Sequence, residues 1–306
     1  MAPDGRSFIT AVGLQQRSVW VHDSKGDRQV SLEGYARAPK FASDGKKLLY
    51  TVRRSASLPR SELWVAELDS GLTEPLLPGF PIGTGGVAAS RAPYDISPDG
   101  RQVVVEAIDR DGKNRLWLAP LDRRSPPRQI PNVEGDGPQF GAGGEILFRA
   151  REGDYGFAYR VREDGTGLRK VSEHPVIETS YVSPDGQWLV VYARPSKEEA
   201  GATLVLPLGG GSPVQINGTG EGMKWSSDGR LLFLVVQTGK TYVMPLPPGR
   251  ALPEIPAGGF RSEAELARLP GVRVIDSPDV APGPTPEVYA FSRETVQRNL
   301  YRIPVP

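Results

Sequence analysis

One turn recurs along this chain and restricts what it can fold into. Asp followed by Gly, opening a β-rich run, occurs at Asp4, Asp44, Asp99, Asp185 and Asp228, and Gly143 takes the Asp place in "FGAGGEILFRA". The runs that follow are "SFITAVG", "KLLYTV", "QVVVEA", "EILFRA", "QWLVVYA" and "LLFLVV". The repeats lie 40 to 55 residues apart, and the widest interval holds an insertion, Pro78–Pro93. A second run follows each of the first, with Trp20, Trp64, Trp117, Tyr159, Leu204 and Tyr242 sharing one slot. A third short run comes next ("RQVS", "EPLL", "RQI", "RKVS", "VQI"), and a fourth precedes each turn, ending at Phe41, Ile96, Phe140, Val182 or Trp225.

Each unit is therefore four short strands separated by Gly, Pro, Asp and Asn turns. A sheet of that size cannot bury both its faces alone. Units stacked side by side around an axis can, which is the logic of a β-propeller. The expected fold is all-β: one β-propeller domain over 1–306, built of four-stranded antiparallel blades. Unit one lacks its first strand. A degenerate seventh unit reads "GVRVID", "EVYAFSR" and "NLYRIPV", with Tyr301 in the aromatic slot. This predicts seven blade positions, with six as the alternative. A helical patch is expected at about 261–270, with Ser262 as N-cap and Pro270-Gly271 as its stop.

Composition removes several classes. The chain has 306 residues and a net charge of +1, which gives no global pull toward nucleic acid or a membrane surface. It has no cysteine, so a disulfide, a thiolate nucleophile and a zinc–thiolate site are ruled out. No apolar run reaches the roughly 18 residues of a membrane span. "MAPDGRSFIT" has no basic region or apolar core and is not a signal peptide; it begins inside the repeated phrase, as a C-terminal piece of a longer protein would.

The phrases "ISPDGRQVVVEA" and "VSPDGQWLVVYA" resemble the TolB-like family of bacterial propellers, whose repeats carry Ser-Pro-Asp-Gly before a strand. "SVWVHDSKGDRQVS", "LDRRSPPRQI", "GKTYVMPLPPG" and "TVQRNLYRIPV" are similar to the C-terminal propeller of acidobacterial-type membrane-associated serine/threonine protein kinases. The resemblance implies a sensor or scaffold region outside the inner membrane. Kinase activity does not carry over: there is no Gly-rich loop before a Val-Ala-x-Lys strand, no His-Arg-Asp and no Asp-Phe-Gly.

Motifs for chemistry are sparse. A Gly-x-Ser-x-Gly elbow is absent, and only His22 and His174 could act as a base. His22 reads as a strand residue and His174 as a loop residue, so no Ser-His-Asp triad is expected. Asp109–Asn114 ("DRDGKN") and Arg162–Gly167 ("REDGTG") resemble fragments of calcium loops but fall where hairpin turns are needed. Gly79–Gly86 is glycine-rich without the Lys-Ser/Thr of a phosphate loop and reads as a mobile insertion. The Asn217–Thr219 triplet reads as chance. Arg53–Arg60 and Asp122–Arg128 are arginine-rich loops. No metal or cofactor is expected.

The family resemblance places ligands on the face carrying the fourth-to-first and second-to-third strand connections. On this chain those connections hold Arg17, Arg37, Arg53, Arg54, Arg91, Arg110, Asp136, Arg151, Glu178, Glu221, Lys240 and Arg298. The expectation is a monomeric, non-enzymatic module that binds a protein or peptide, with no nucleic acid partner. A hydrolase or lyase with a funnel active site and a ligand-free scaffold are the alternatives.

Overall fold

The computed structural model describes residues 7–304, apart from 33, 55–59, 85–90, 195–200 and 218–219. Near the chain ends, β1 (Ser7–Asp23) and β2 (Gly26–Gln29) form a hairpin. The next four strands are β3 (Tyr35–Phe41), β4 (Lys47–Arg53), β5 (Glu62–Glu67) and β6 (Thr73–Pro75). Then come β7 (Tyr94–Ile96), β8 (Gln102–Ile108), β9 (Asn114–Pro120) and β10 (Arg128–Glu134). The fourth group is β11 (Asp136–Phe140), β12 (Glu145–Glu152), β13 (Tyr155–Arg162) and β14 (Arg169–Lys170). The fifth is β15 (Val176–Val182), β16 (Trp188–Ala193), β17 (Ala202–Pro207) and β18 (Val214–Asn217). The sixth is β19 (Gly220–Trp225), β20 (Leu231–Val236), β21 (Thr241–Pro245) and β22 (Arg273–Ile275). Finally β23 (Val280–Pro282) and β24 (Tyr289–Pro304) pair back onto β1 in the order β23-β24-β1, with β2 outside.

The described strands thus form six four-stranded blades rather than seven. The seventh unit and the first are one blade, two strands from each end of the chain. "SFITAVG" and "VWVHD" are a single strand, and so are "EVYAFSR" and "NLYRIPV". The linking segments "LQQRS" and "ETVQR" contain no Gly, Pro, Asn or Asp, so nothing turns the chain there. "GVRVID" is not a first strand but the outer strand β22 of the sixth blade. Tyr301 lies on β24 far beyond the blade, 48% exposed; Trp20 holds the aromatic slot of the closing blade, opposite Phe291.

Packing shows the closed ring. The second strand of a blade is buried on both faces, as in β4 and β8, because it lies between two neighbouring blades. Its side chains alternate between them. Val103 and Val105 meet Leu49, Leu63 and Val65 of the second blade, while Val104 meets Ile146 and Phe148 of the fourth. Further apolar clusters fill the fourth–fifth, fifth–sixth, sixth–closing and closing–second gaps. Outer strands read the opposite way: β10 buries only Ile130 and Val133.

The repeated turn has a defined geometry. Ser97 and Ser226 donate from Oγ to Asp99 and Asp228 at 2.6 Å, and Ser183 makes the same bond to Asp185. Each serine oxygen also accepts a backbone N–H from the start of the next strand, at Gln102, Trp188 and Leu231. The first such turn, at Asp4, lies outside the described residues. A helix, α1 (Glu263–Ala267), interrupts the run between β21 and β22; Ser262 caps it and Leu266 is buried at the rim of the fifth–sixth gap.

Candidate ligand-binding face

The innermost strands β23, β3, β7, β11, β15 and β19 all begin at one face, here the upper; on the lower face β7 and β15 end at Ser-Pro-Asp-Gly turns, β3 and β19 at Ala-Ser-Asp-Gly and Ser-Ser-Asp-Gly, and β11 at Gly-Ala-Gly-Gly. Side chains from these strands and their neighbours form three layers along the axis, two polar and one apolar.

In the upper layer, Arg91 bonds Glu106 at 2.5 Å and Asp136 at 3.1 Å. Arg149 grips Asp136 with two arms, at 2.9 Å through Nε and 2.5 Å through a terminal nitrogen. Burial lowers the Arg149 pKa, the Asp136 bonds outweigh it, and the net shift is upward. The Gly137 N–H donates to Glu106 at 2.8 Å, and the Thr179 hydroxyl donates to the Gly137 carbonyl at 2.8 Å. Gly137 has φ +61°, and a Cβ there would lie 2.6 Å from Thr179 Oγ1 and 2.9 Å from Arg91 Nε, so only glycine fits. Arg91 comes from the insertion, which also stitches two blades: Ile82 bridges Ser61 and Ala107.

In the middle layer, Lys40 Nζ bonds Asp95 at 2.8 Å and lies 4.6 Å from the centre of the Tyr181 ring. Lys224 lies 5.2 Å from the same ring and donates to the Val280 carbonyl at 2.8 Å. Burial pulls the Lys224 pKa down to about 8. Asp279, 1% exposed, accepts from the Ala38 N–H and the Ser292 hydroxyl, with Lys224 at 4.0 Å. Burial raises the Tyr94 and Tyr181 hydroxyls well above the ordinary tyrosine range.

In the lower layer, Phe41, Ile96, Phe140, Val182 and Trp225 form a collar around a cavity of about 350 Å³ with Asp95 and Tyr181 at its inner end.

The structure gathers some of the twelve expected face residues and leaves others apart. Arg37, Arg91, Asp136 and Glu178 converge on the axis; Arg37 reaches the Arg91 carbonyl at 3.4 Å, and Glu178 is 5% exposed. Arg17 and Arg53 sit beside Tyr35 at the seam of the closing and second blades. Arg54 is peripheral, bonded to Glu62 and over Trp64. Arg110, Arg151 and Lys240 are exposed at hairpin tips. The side chains of Glu221 and Arg298 lie outside the described residues, as do Gly218 and Thr219 of the Asn217 triplet, most of the Arg53–Arg60 loop, and Gly85 and Gly86.

Neither histidine reaches the axis. His22 stacks on Tyr289 and bonds Asp27 at 2.7 Å, which lowers the Asp27 pKa. His174 is exposed in the loop before β15. Asp109 spends its carboxylate on the backbone N–H groups of Asp111 and Lys113 and on Arg115, and Asp164 on Thr166. Among the described residues no cluster of three or more His, Asp or Glu is arranged to hold a metal.

The middle layer was missed in the sequence, although one column of the repeat spells it out. The residue just before the apolar collar is Lys40, Asp95, Gln139, Tyr181 and Lys224 in five successive blades, polar every time, and Ala281 in the closing blade.

No protein-family model and no curated protein matches the chain. Solved structures do. A protein described as TolB from Agrobacterium tumefaciens is 17% identical, with 92% of this chain and 99% of that one covered at a TM-score of 0.64. TolB from Acinetobacter baumannii is 17% identical, with 75% and 61% covered at 0.58. A chain of the nidogen–laminin complex is 12% identical, with 85% and 99% covered at 0.51. An oligogalacturonate lyase in complex with manganese is 16% identical, with 75% and 68% covered at 0.50. At these identities the likeness is one of fold: the chain is a β-propeller whose structural neighbours include TolB-like propellers.

Proposed function

We propose that the chain is a non-catalytic propeller that binds a protein or peptide on its upper face. The observation that carries this is the Arg91–Glu106–Asp136–Arg149 network. Carboxylates held in guanidinium forks, with a backbone N–H as a further donor, form a rigid, pre-shaped polar surface rather than a proton relay. A funnel enzyme needs a base and an acid poised to exchange protons; in this network Glu106 and Asp136 are each held by arginine, and both histidines lie off the axis. The nidogen neighbour, seen in complex with laminin, shows this fold serving protein recognition. The quoted resemblance to kinase-linked propellers fits a sensor or scaffold region of a bacterial signalling protein.

The test is panning of a random-peptide display library on the immobilised chain. Selected peptides should lose roughly tenfold or more in affinity for a chain with Arg110→Glu, Arg151→Glu and Lys240→Glu together, three exposed upper-face changes that spare the core. The same peptides should bind a Ser43→Ala chain, altered at the lower mouth, unchanged. Selection of no peptide, or of peptides sensitive only to the lower mouth, would refute the proposal.

A further inference from the structure

The lower end of the axis carries an enclosure of its own. Phe41, Ile96, Phe140, Val182 and Trp225 stand around it, each the last residue of an innermost strand and each from a different blade. Phe41, Ile96 and Val182 keep part of their surface exposed there, as does Tyr181 at the inner end. Three of the five are aromatic, and such walls favour a flat guest ring. The cavity of about 350 Å³ is at the small end for ligand pockets, which run from roughly 300 to 1,000 Å³.

The inner end is polar, and its charge is already met. One oxygen of Asp95 accepts from the Lys40 ammonium at 2.8 Å and the other from the Phe140 N–H at 2.8 Å. Each carboxylate oxygen has room for a second donor. The Asp95 side chain is 18% exposed and lines the cavity. Because Lys40 neutralises Asp95, a cation gains little there and an anion faces a carboxylate. What the inner end offers is an acceptor for an uncharged donor. The turns around the mouth have the same balance: Asp99 lies 3.8 Å from Arg101, and Asp228 lies 3.8 Å from Arg230. Pro98 and Pro184 at the mouth have no N–H to give a polypeptide backbone.

We propose that this basin binds a small uncharged aromatic alcohol or phenol, its ring among Phe41, Phe140 and Trp225 and its hydroxyl donating to Asp95. The site is separate from the upper face and does not depend on a ligand there. The ring gains by leaving water. A hydroxyl that enters an apolar basin must find a partner, and Asp95 supplies one. A ring without the hydroxyl leaves the Asp95 edge against hydrocarbon. A ring bearing an ammonium meets a carboxylate whose oxygen already holds Lys40 at 2.8 Å.

The experiment is fluorine NMR of para-fluorophenol with the whole chain, with fluorobenzene and para-fluorobenzylamine as controls. The phenol should bind with a Kd of about 1 mM or tighter. Each control should bind roughly tenfold more weakly. Ser227→Trp at the exposed rim and Val182→Trp in the collar fill the basin from two sides, and each should cost the phenol roughly tenfold or more. Circular dichroism checks each fold, and Ser227→Trp, which alters an exposed residue alone, keeps the test sharp if Val182→Trp does not fold. The chain with Arg110→Glu, Arg151→Glu and Lys240→Glu should bind the phenol unchanged, which separates this site from the upper face. No binding, or unchanged binding by folded variants, would overturn the site. Equal binding of fluorobenzene would overturn the hydroxyl contact, and tighter binding of the amine would overturn the uncharged ligand. If N-acetyltyrosinamide displaces the phenol at far lower concentration than para-cresol does, the occupant is a tyrosine of a polypeptide and the free small molecule is overturned.

Discussion

A single lysine illustrates how the axis is balanced. Lys224 is 2% exposed and its ammonium has one close acceptor, the Val280 carbonyl. Its folded pKa of about 8 lies below the 10.5 of a free lysine. The unfolded chain therefore binds more protons between these values. The burial penalty is fully present below pH 8 and is relieved as pH rises toward 10.5, so Lys224 adds a positive slope of stability with pH there. Its size is up to about 3 kcal/mol. Lys224→Met removes the term. Denaturant midpoints measured from pH 7 to 10 should show the wild type gaining on the variant across that window. A constant difference would mean that Lys224 stays charged throughout.

At the scale of the element, the Asp-Gly turn with a serine two residues before the Asp shows how local chemistry starts a hairpin. The serine hydroxyl joins the Asp carboxylate to the first backbone N–H of the second strand, and so starts each hairpin in register. Ser226→Ala should cost about 1 kcal/mol, read as a lower urea midpoint at unchanged m; an unchanged midpoint would show that Asp228 alone secures the turn. Second strands and turns were legible in the sequence because both depend on neighbours along the chain. The end of the pattern was not. Unit one and unit seven each look like two strands by length and by the aromatic slot, yet "LQQRS" and "ETVQR" offer no turn and pair with each other instead. The middle layer was hidden for a different reason: Lys40, Asp95 and Tyr181 are sequence-distant, and each is an isolated polar residue among apolar ones. Arg37, Arg91, Asp136 and Glu178 were named as a face, but their pairing depends on how blades two to five meet.

For the whole molecule, closure by two strands from each end makes the first and last segments of the chain one structural unit. Val19, fully buried in the closing–second gap, is a direct probe. Val19→Asp puts an unpaired charge into that gap and should cost about 3 kcal/mol or more. The five tryptophans fall in five different blades, so their fluorescence reports on nearly the whole ring. It should shift together with circular dichroism to a lower denaturant midpoint. Loss of the closing blade alone, with the other signals unmoved, would show that the ring stands without its seam.

The middle layer has one more consequence. Asp95 and Tyr181 line the inner end of the lower cavity, and the Lys40 ammonium joins them, bonded to Asp95 and 4.6 Å from the centre of the Tyr181 ring. This trio stands between the apolar basin below and the charged rim above. Each end is thus free to acquire its own occupant and to drift in sequence without disturbing the other.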